Sequence, residues 1–77
     1  MTKKEFIQRF ADELGLNAEN LEESTPLDSL SVWDSMGQIA TVGMIDEALQ
    51  FEPPQGALGN CSTLGDIVAL VSDQLEG

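Results

Sequence analysis

The sequence of 77 residues contains no histidine, only one cysteine and only three cations. Without histidine, the chain lacks the side chain that most often serves as a general base near neutral pH and as a metal ligand. A single cysteine, Cys61, excludes an internal disulfide and a cysteine-based zinc site. With 14 Asp and Glu, the net charge is −11, so no basic face can form to bind nucleic acid or an anionic membrane.

Long apolar runs are also missing from the sequence. No stretch has the length of a signal-peptide core or approaches the roughly 20 apolar residues of a membrane span. The hydrophobic content of 42% is nevertheless ordinary for a globular domain. We therefore expect residues 1–77 to form one soluble, monomeric, cytoplasmic domain with a single small core.

Three segments have apolar residues at three- and four-residue steps, which predicts helices over residues 2–14, 35–50 and 63–75. The first and the last begin with a threonine that is followed three residues later by an acidic residue, which is the spacing of a capping box. A weaker pattern predicts one short helical turn over residues 55–61. The fold class is therefore all-α, with three main helices and one short helix.

The second predicted helix is apolar over much of its circumference, which predicts a central place in the packing. Its apolar positions are Met36, Ile39, Ala40, Val42, Gly43, Met44, Ile45, Ala48 and Leu49. Gly37 and Gly43 each cost roughly 1 kcal/mol relative to alanine inside a helix. We therefore expect a neighbouring segment or a partner to approach the helix closely at these two positions.

A long connection over residues 16–33 joins the first two predicted helices. Pro26 and several serines argue against regular structure, but six apolar side chains are too many for a solvated linker. Loops of this length are uncommon in small domains and are usually functional or packed on the core. We expect this one to be packed.

The tripeptide Asp34-Ser35-Met36 lies where the connection meets the second helix. Either Asp34 or Ser35 can cap that helix, a role worth about 1 kcal/mol. The free N–H groups and the positive end of a helix also stabilise an anion, so Ser35 can instead bear a covalent phosphate ester. Because no histidine is present to activate its hydroxyl, another enzyme would have to do so.

This tripeptide, together with the size and acidity of the chain, resembles the acyl carrier proteins of the phosphopantetheine-attachment family. In that family Asp-Ser-Leu opens the second helix of a four-helix bundle, and this chain has Met36 in place of the leucine. Gly15 stands 20 residues before Ser35, which is similar to the family's spacing. Three further segments fall where the family has similar residues: Asp46-Glu47, Pro54 and Ser62-Thr63-Leu64.

The resemblance implies a carrier and not an enzyme. A phosphopantetheinyl transferase, using coenzyme A and Mg²⁺, would place 4′-phosphopantetheine on the Ser35 oxygen, and the thiol of this arm would hold cargo as a thioester. Asp34 would help the transferase to dock or to hold its metal. Met36, Trp33 and Ile39 would contact the arm, its cargo or a partner, although packing in the core explains these side chains as well, and for Trp33 it is the more common role.

The resemblance also implies partners with basic surfaces, namely an acyl- or aminoacyl-activating ligase, a synthase or a transferase. Asp46 and Glu47 would contact them. The first half of the second helix has no carboxylate where the family commonly has one, and Trp33 replaces a usually small residue. Both departures predict partners other than those of a housekeeping fatty-acid synthase.

A second tripeptide, Asp28-Ser29-Leu30, matches the family pattern literally. A helix from Ser29 to Gln50 would have about 22 residues, whereas one from Ser35 has about 16, which is nearer the typical length. We therefore expect Ser35 to be the attachment site and Ser29 to lie in a turn beside Pro26.

The cargo itself remains open at this stage. Acyl groups of a specialised fatty-acid, polyketide or related pathway are the leading interpretation, and an aminoacyl or peptidyl carrier of D-alanyl type is the alternative. A third interpretation, from a different class, is an acidic helical module that binds a basic partner and bears no arm.

Overall fold

The computed structural model describes residues 1–54 and 56–76. It contains three α-helices, α1 (Lys3–Leu14), α2 (Ser35–Leu49) and α3 (Leu64–Leu70). Four short 3₁₀ turns lie between and after them: Ala18–Asn20, Leu27–Ser29, Leu58–Asn60 and Ser72–Gln74. No strand occurs in these two ranges beyond one isolated bridge, so the all-α prediction is confirmed. Gln55, from the predicted short helical turn, and Gly77 lie outside the described residues.

The ends of α1 follow the predicted signals. Thr2 is the N-cap, and its hydroxyl accepts the Glu5 N–H at 3.1 Å while the Glu5 carboxylate accepts the Thr2 N–H at 2.9 Å. Gly15 ends the helix with φ +71°, in the left-handed region that glycine adopts without strain. Between these caps, α1 buries Phe6 and Phe10 completely in the core.

The packing of α2 differs from the prediction. Its buried residues share one face that turns toward the core: Gly37, Thr41, Met44 and Ile45. Met36 and Ile39 point away from this face and are 74% and 67% exposed. The sequence did not distinguish the two faces because apolar residues occur on both, whereas a helix at the edge of a small core buries only one.

The last helix is shorter than the predicted 63–75. It ends at Leu70, and the chain continues as the 3₁₀ turn Ser72–Gln74. The Ser72 hydroxyl donates to the backbone carbonyl three residues earlier at 3.0 Å, and the Val71 N–H is shared between two carbonyls. Such hydroxyl bonds and shared bonds are typical of a tightening helix end.

The connection between α1 and α2 packs on the core through buried Leu21 and Leu27. Backbone hydrogen bonds also tie it to the start of α3, where the Leu64 N–H donates to Thr25 O at 3.0 Å and the Gly65 N–H donates to Glu23 O at 2.7 Å. The connection therefore has a fixed course, which leads it to the N-terminus of α2.

The two ends of the described chain meet. The Glu76 N–H donates to Met1 O at 2.9 Å, and the Met1 amine lies 3.4 Å from a Glu76 carboxylate oxygen. Within the described ranges, no helix has the length and hydropathy that crossing a membrane requires.

The second predicted capping box, at α3, makes folding stability depend on pH. The N–H groups of Ser62 and Thr63 donate to Asp66 Oδ2 at 2.8 and 3.1 Å, and these bonds hold the pKa of Asp66 below its ordinary 3.8. The unfolded chain thus binds this proton more readily, so the stabilisation is complete above about pH 4 and is lost as the pH falls through the folded pKa.

We therefore expect Asp66→Asn to be less stable than the wild type at pH 7, with a difference that shrinks as the pH is lowered below 3.8. Urea unfolding at several pH values measures this difference. Asp73→Asn removes the same charge from another exposed residue and corrects for the relief of repulsion in an acidic chain. A difference that stays constant from pH 7 to pH 3 would contradict the assignment.

Cys61 packs as a small apolar residue. It is partly buried against the core, and its thiol donates to Ala57 O at 3.4 Å. Burial, together with the nearby Asp66 carboxylate, raises the pKa of the Cys61 thiol above its ordinary value. The thiol is therefore held in its unreactive protonated form.

Candidate functional site

Asp34, and not Ser35, caps α2. The Asp34 backbone is extended, and its Oδ1 accepts the Gly37 N–H at 2.9 Å. Ser35 is the first helical residue and is exposed. Its hydroxyl has no hydrogen-bond partner within residues 1–54 and 56–76, so the interpretation of Ser35 as an N-cap is wrong.

The hydroxyl of Ser29 is engaged, in contrast. Ser29 ends the 3₁₀ turn Leu27–Ser29, and its hydroxyl donates to Pro26 O at 2.6 Å. The α-helix begins six residues later, at Ser35. Of the two serines that follow an aspartate, the structure thus leaves only Ser35 at a helix N-terminus with its oxygen free among the described residues.

An apolar surface surrounds Ser35. Met36 and Ile39 are the large hydrophobic side chains that are most exposed in the described residues, at 74% and 67%. Ile39 lies one helical turn after Ser35 and on the same side of α2, because residues four apart share a helix face. No charged residue occurs in α2 from Ser35 to Ile45.

A groove of about 400 Å³ begins at Ser35 and runs between α2 and the segment that follows it. On the helix side it is lined by Ile39 and Val42, and on the opposite side by Pro53 and Leu58. The sequence did not predict the side of the groove opposite the helix, because Pro53-Pro54 indicated only that a helix ends there. The groove offers a mostly apolar channel that starts at a free hydroxyl.

On its other flank, Ser35 neighbours a shallower groove of about 430 Å³ between α2 and the end of α1. Glu13, Val32, Asp34 and Met36 line it. The C-terminal end of α1 therefore lies beside the N-terminus of α2, and the Ser35 hydroxyl stands on the ridge between the two grooves.

Trp33 faces inward rather than toward the grooves. Its ring lies 5.8 Å from that of Phe10, at an angle of 47° between the ring planes, and its side chain is half-buried. Such tilted aromatic pairs are favourable beyond the area they bury. The pair anchors the turn that precedes Ser35 to α1.

The predicted site residues thus fall into separate groups. Asp34, Ser35, Met36 and Ile39 lie together at the start of α2. Asp46 and Glu47 are exposed near its other end. At a rise of 1.5 Å per helical residue, Asp46 lies about 16 Å from Ser35 along the helix axis. These two carboxylates can guide a partner along the helix, but they are too far away to touch a group at the Ser35 oxygen.

The described part of the chain contains no set of side chains that could bind a metal ion. No three side chains among its Cys, Asp and Glu residues are grouped closely enough to hold a metal ion. The second carboxylate oxygen of Asp34 makes no hydrogen bond with the described residues, so a partner's cation can reach it.

Comparison with known proteins adds one match. A family model described as "Phosphopantetheine attachment site" matches residues 4–71, which is most of the chain and includes α2, α3 and all of α1 except Lys3. No curated protein and no solved structure matches the chain significantly.

Proposed function

Because the chain belongs to the phosphopantetheine attachment site family, we propose that Ser35 is the residue that bears the arm. Members of this family carry covalently attached 4′-phosphopantetheine, are not enzymes themselves, and work with phosphopantetheinyl transferases and biosynthetic enzymes. The observation that supports Ser35 is its exposed hydroxyl, which is unpartnered among the described residues at the N-terminus of α2, where backbone N–H groups favour a phosphate.

The residues around Ser35 fit such an arm. Asp34 Oδ1 holds the first turn of α2 through the Gly37 N–H, and its other oxygen faces outward for the transferase and its metal. The groove that starts at Ser35 offers Ile39, Val42 and Leu58 to an apolar chain. The arm supplies a thiol that holds cargo as a thioester, and this chain supplies the attachment point and the apolar surface beside it.

The apolar lining of this groove favours acyl cargo over aminoacyl cargo. A fatty or polyketide-type chain gains free energy by burying its methylene groups, about 0.8 kcal/mol each. The amine of an aminoacyl group would find only the Glu52 carboxylate and the Gln38 side chain as polar partners in that lining. We therefore place the protein in a specialised fatty-acid, polyketide or related pathway, with the D-alanyl-type carrier as the alternative.

The proposed carrier acts as one monomeric domain over residues 1–77. The 3₁₀ turn Leu58–Asn60 takes the place of the short helix in a four-helix carrier bundle, and it contributes the buried Leu58 to the core. Side chains from all three α-helices and from the α1–α2 connection share that core.

The attachment site can be tested by weighing the intact protein. Incubation with coenzyme A, Mg²⁺ and a broad-specificity transferase is expected to add the mass of one phosphopantetheine to the wild type. Ser35→Ala should gain nothing, because the attacking oxygen is absent, and Ser29→Ala should gain as much as the wild type.

Each other result has a definite meaning. Modification that persists in Ser35→Ala and disappears in Ser29→Ala would move the site to the earlier tripeptide. A wild type that gains no mass, although a known carrier in the same reaction does, would favour the acidic interaction module instead.

A further inference from the structure

Gly37 is the more confined of the two glycines in α2. It is buried in the first turn, and a Cβ atom added there would overlap the carbonyl oxygen of Val32 and lie 3.3 Å from its carbonyl carbon. The obstacle is backbone, which cannot rotate aside as the end of a side chain can. Any residue larger than glycine must push the chain at Val32 away from α2.

The backbone that would move leads directly into Ser35. The Asp34 N–H donates to the same Val32 carbonyl at 3.0 Å, and the Gly37 N–H donates to Asp34 Oδ1 at 2.9 Å. On the inner side, the buried Thr41 hydroxyl donates to Gly37 O at 2.8 Å. The 32–37 turn is thus held at both ends, and Ser35 lies between them as an exposed residue.

We propose that Gly37 is a positioning residue for the modification of Ser35. By leaving room for the Val32 carbonyl, it fixes the direction in which the Ser35 hydroxyl leaves the helix and thereby its alignment with the phosphorus atom that it attacks. In this step the Ser35 oxygen forms a bond to the pantetheine-bearing phosphorus of coenzyme A, the P–O bond of the diphosphate breaks, adenosine 3′,5′-bisphosphate leaves, and the hydroxyl proton passes to a base of the transferase. This inference rests on the proposed role of Ser35. A displacement of about 1 Å at a reacting atom can lower a rate by up to about a hundredfold, whereas binding over a larger surface is little affected.

The chain offers two matched glycines as controls. At Gly65 in α3, a Cβ would lie 2.8 Å from Glu23 O and 3.1 Å from Glu23 Cβ, which is a milder clash, also against a backbone carbonyl, outside the grooves that flank Ser35. At Gly43 in α2, a Cβ would meet no atom of another segment within 4 Å among residues 1–54 and 56–76. Gly65→Ala controls for a loss of stability caused by a clash with backbone. Gly43→Ala controls for the replacement of glycine by alanine within the same helix.

The experiment measures kcat and KM for transfer of phosphopantetheine from coenzyme A to Gly37→Ala, Gly65→Ala, Gly43→Ala and the wild type. All are assayed at a temperature where circular dichroism shows them folded. Gly37→Ala is expected to lower kcat by about tenfold to a hundredfold with KM within about twofold. Gly65→Ala should lower the melting temperature and leave kcat unchanged, and Gly43→Ala should raise the melting temperature and leave kcat unchanged.

Equal kcat values for Gly37→Ala and Gly65→Ala would overturn the inference while leaving Ser35 as the attachment site. A wild type that gains no phosphopantetheine in the assay would overturn both this inference and the proposed role of Ser35. If Gly37→Ala alone does not fold, the double variant Gly37→Ala/Gly43→Ala regains helix stability, because alanine favours the helix more than glycine does, and takes its place. Should this double variant also fail to fold, Gly37 would be a folding requirement and not a positioning residue.

Discussion

Replacing Phe10 with alanine is expected to lower the free energy of unfolding by about 3–5 kcal/mol. The Phe10 ring is completely buried, and it also supports the half-buried Trp33 ring 5.8 Å away. The substitution therefore removes apolar burial, leaves a cavity and deprives Trp33 of its aromatic neighbour. Since small domains are stable by only about 5–15 kcal/mol, a large fraction of the total would be lost.

Urea unfolding followed by the fluorescence of Trp33, the single tryptophan, measures this loss directly. Phe51→Ala is the matched control, because Phe51 is only partly buried against the same core and should cost less. A loss below about 1 kcal/mol for Phe10→Ala would show that the ring is not the support of the turn before Ser35.

The double substitution Met36→Glu/Ile39→Glu is expected to lower kcat/KM with a cognate partner enzyme by about thirtyfold or more, while the protein stays folded. Both side chains are mostly exposed, so folding does not depend on them. They stand beside Ser35 on a stretch of α2 without charge, and we propose that a partner buries them under an apolar surface of its own. Truncation of a central apolar contact commonly costs 2 kcal/mol or more, which is about thirtyfold in affinity.

The control is Ala69→Glu/Gln74→Glu, which adds the same two charges at exposed positions on and after α3. It separates a local loss of contact from a general increase in acidity. Raising the ionic strength provides a second readout, since an apolar contact is insensitive to salt, whereas pairing between carboxylates and a basic patch weakens. Equal losses in both double variants, or a loss in Met36→Glu/Ile39→Glu that disappears at high ionic strength, would contradict an apolar contact at Met36 and Ile39.

The same surface bears on the choice of partner. Enzymes of a housekeeping fatty-acid synthase are expected to bind this protein weakly, because the start of α2 has no carboxylates for their basic patches. Direct binding measurements against those enzymes test the expectation, and affinity equal to that of their own carrier would overturn it.

The sequence predicted those parts of the fold that local chemistry determines. Both capping boxes, the left-handed Gly15 and the start of α2 at Ser35 follow from side chains that bond to the backbone within a few residues. The family resemblance, built on Asp34-Ser35-Met36 and its spacing, is confirmed by the family match over residues 4–71.

Features that depend on contacts between distant segments were harder to predict. The exposure of Met36 and Ile39 depends on which side of α2 meets α1, and apolar residues on both sides hid the answer. The close approach predicted at Gly37 is real, because the Val32 carbonyl lies against it, whereas at Gly43 no other segment of the described chain lies close. The presence of a glycine in a helix does not by itself show whether another segment packs against it.

The meeting of Met1 and Glu76 has a consequence for how the molecule can be tethered. Both residues lie beside the start of α1, whereas Ser35 lies beside its end, and the 12 residues of α1 separate them by about 18 Å. A support, a label or another polypeptide joined to either terminus would therefore be attached at the same pole. The opposite pole, with the Ser35 hydroxyl and its two flanking grooves, would stay free to swing toward one enzyme after another.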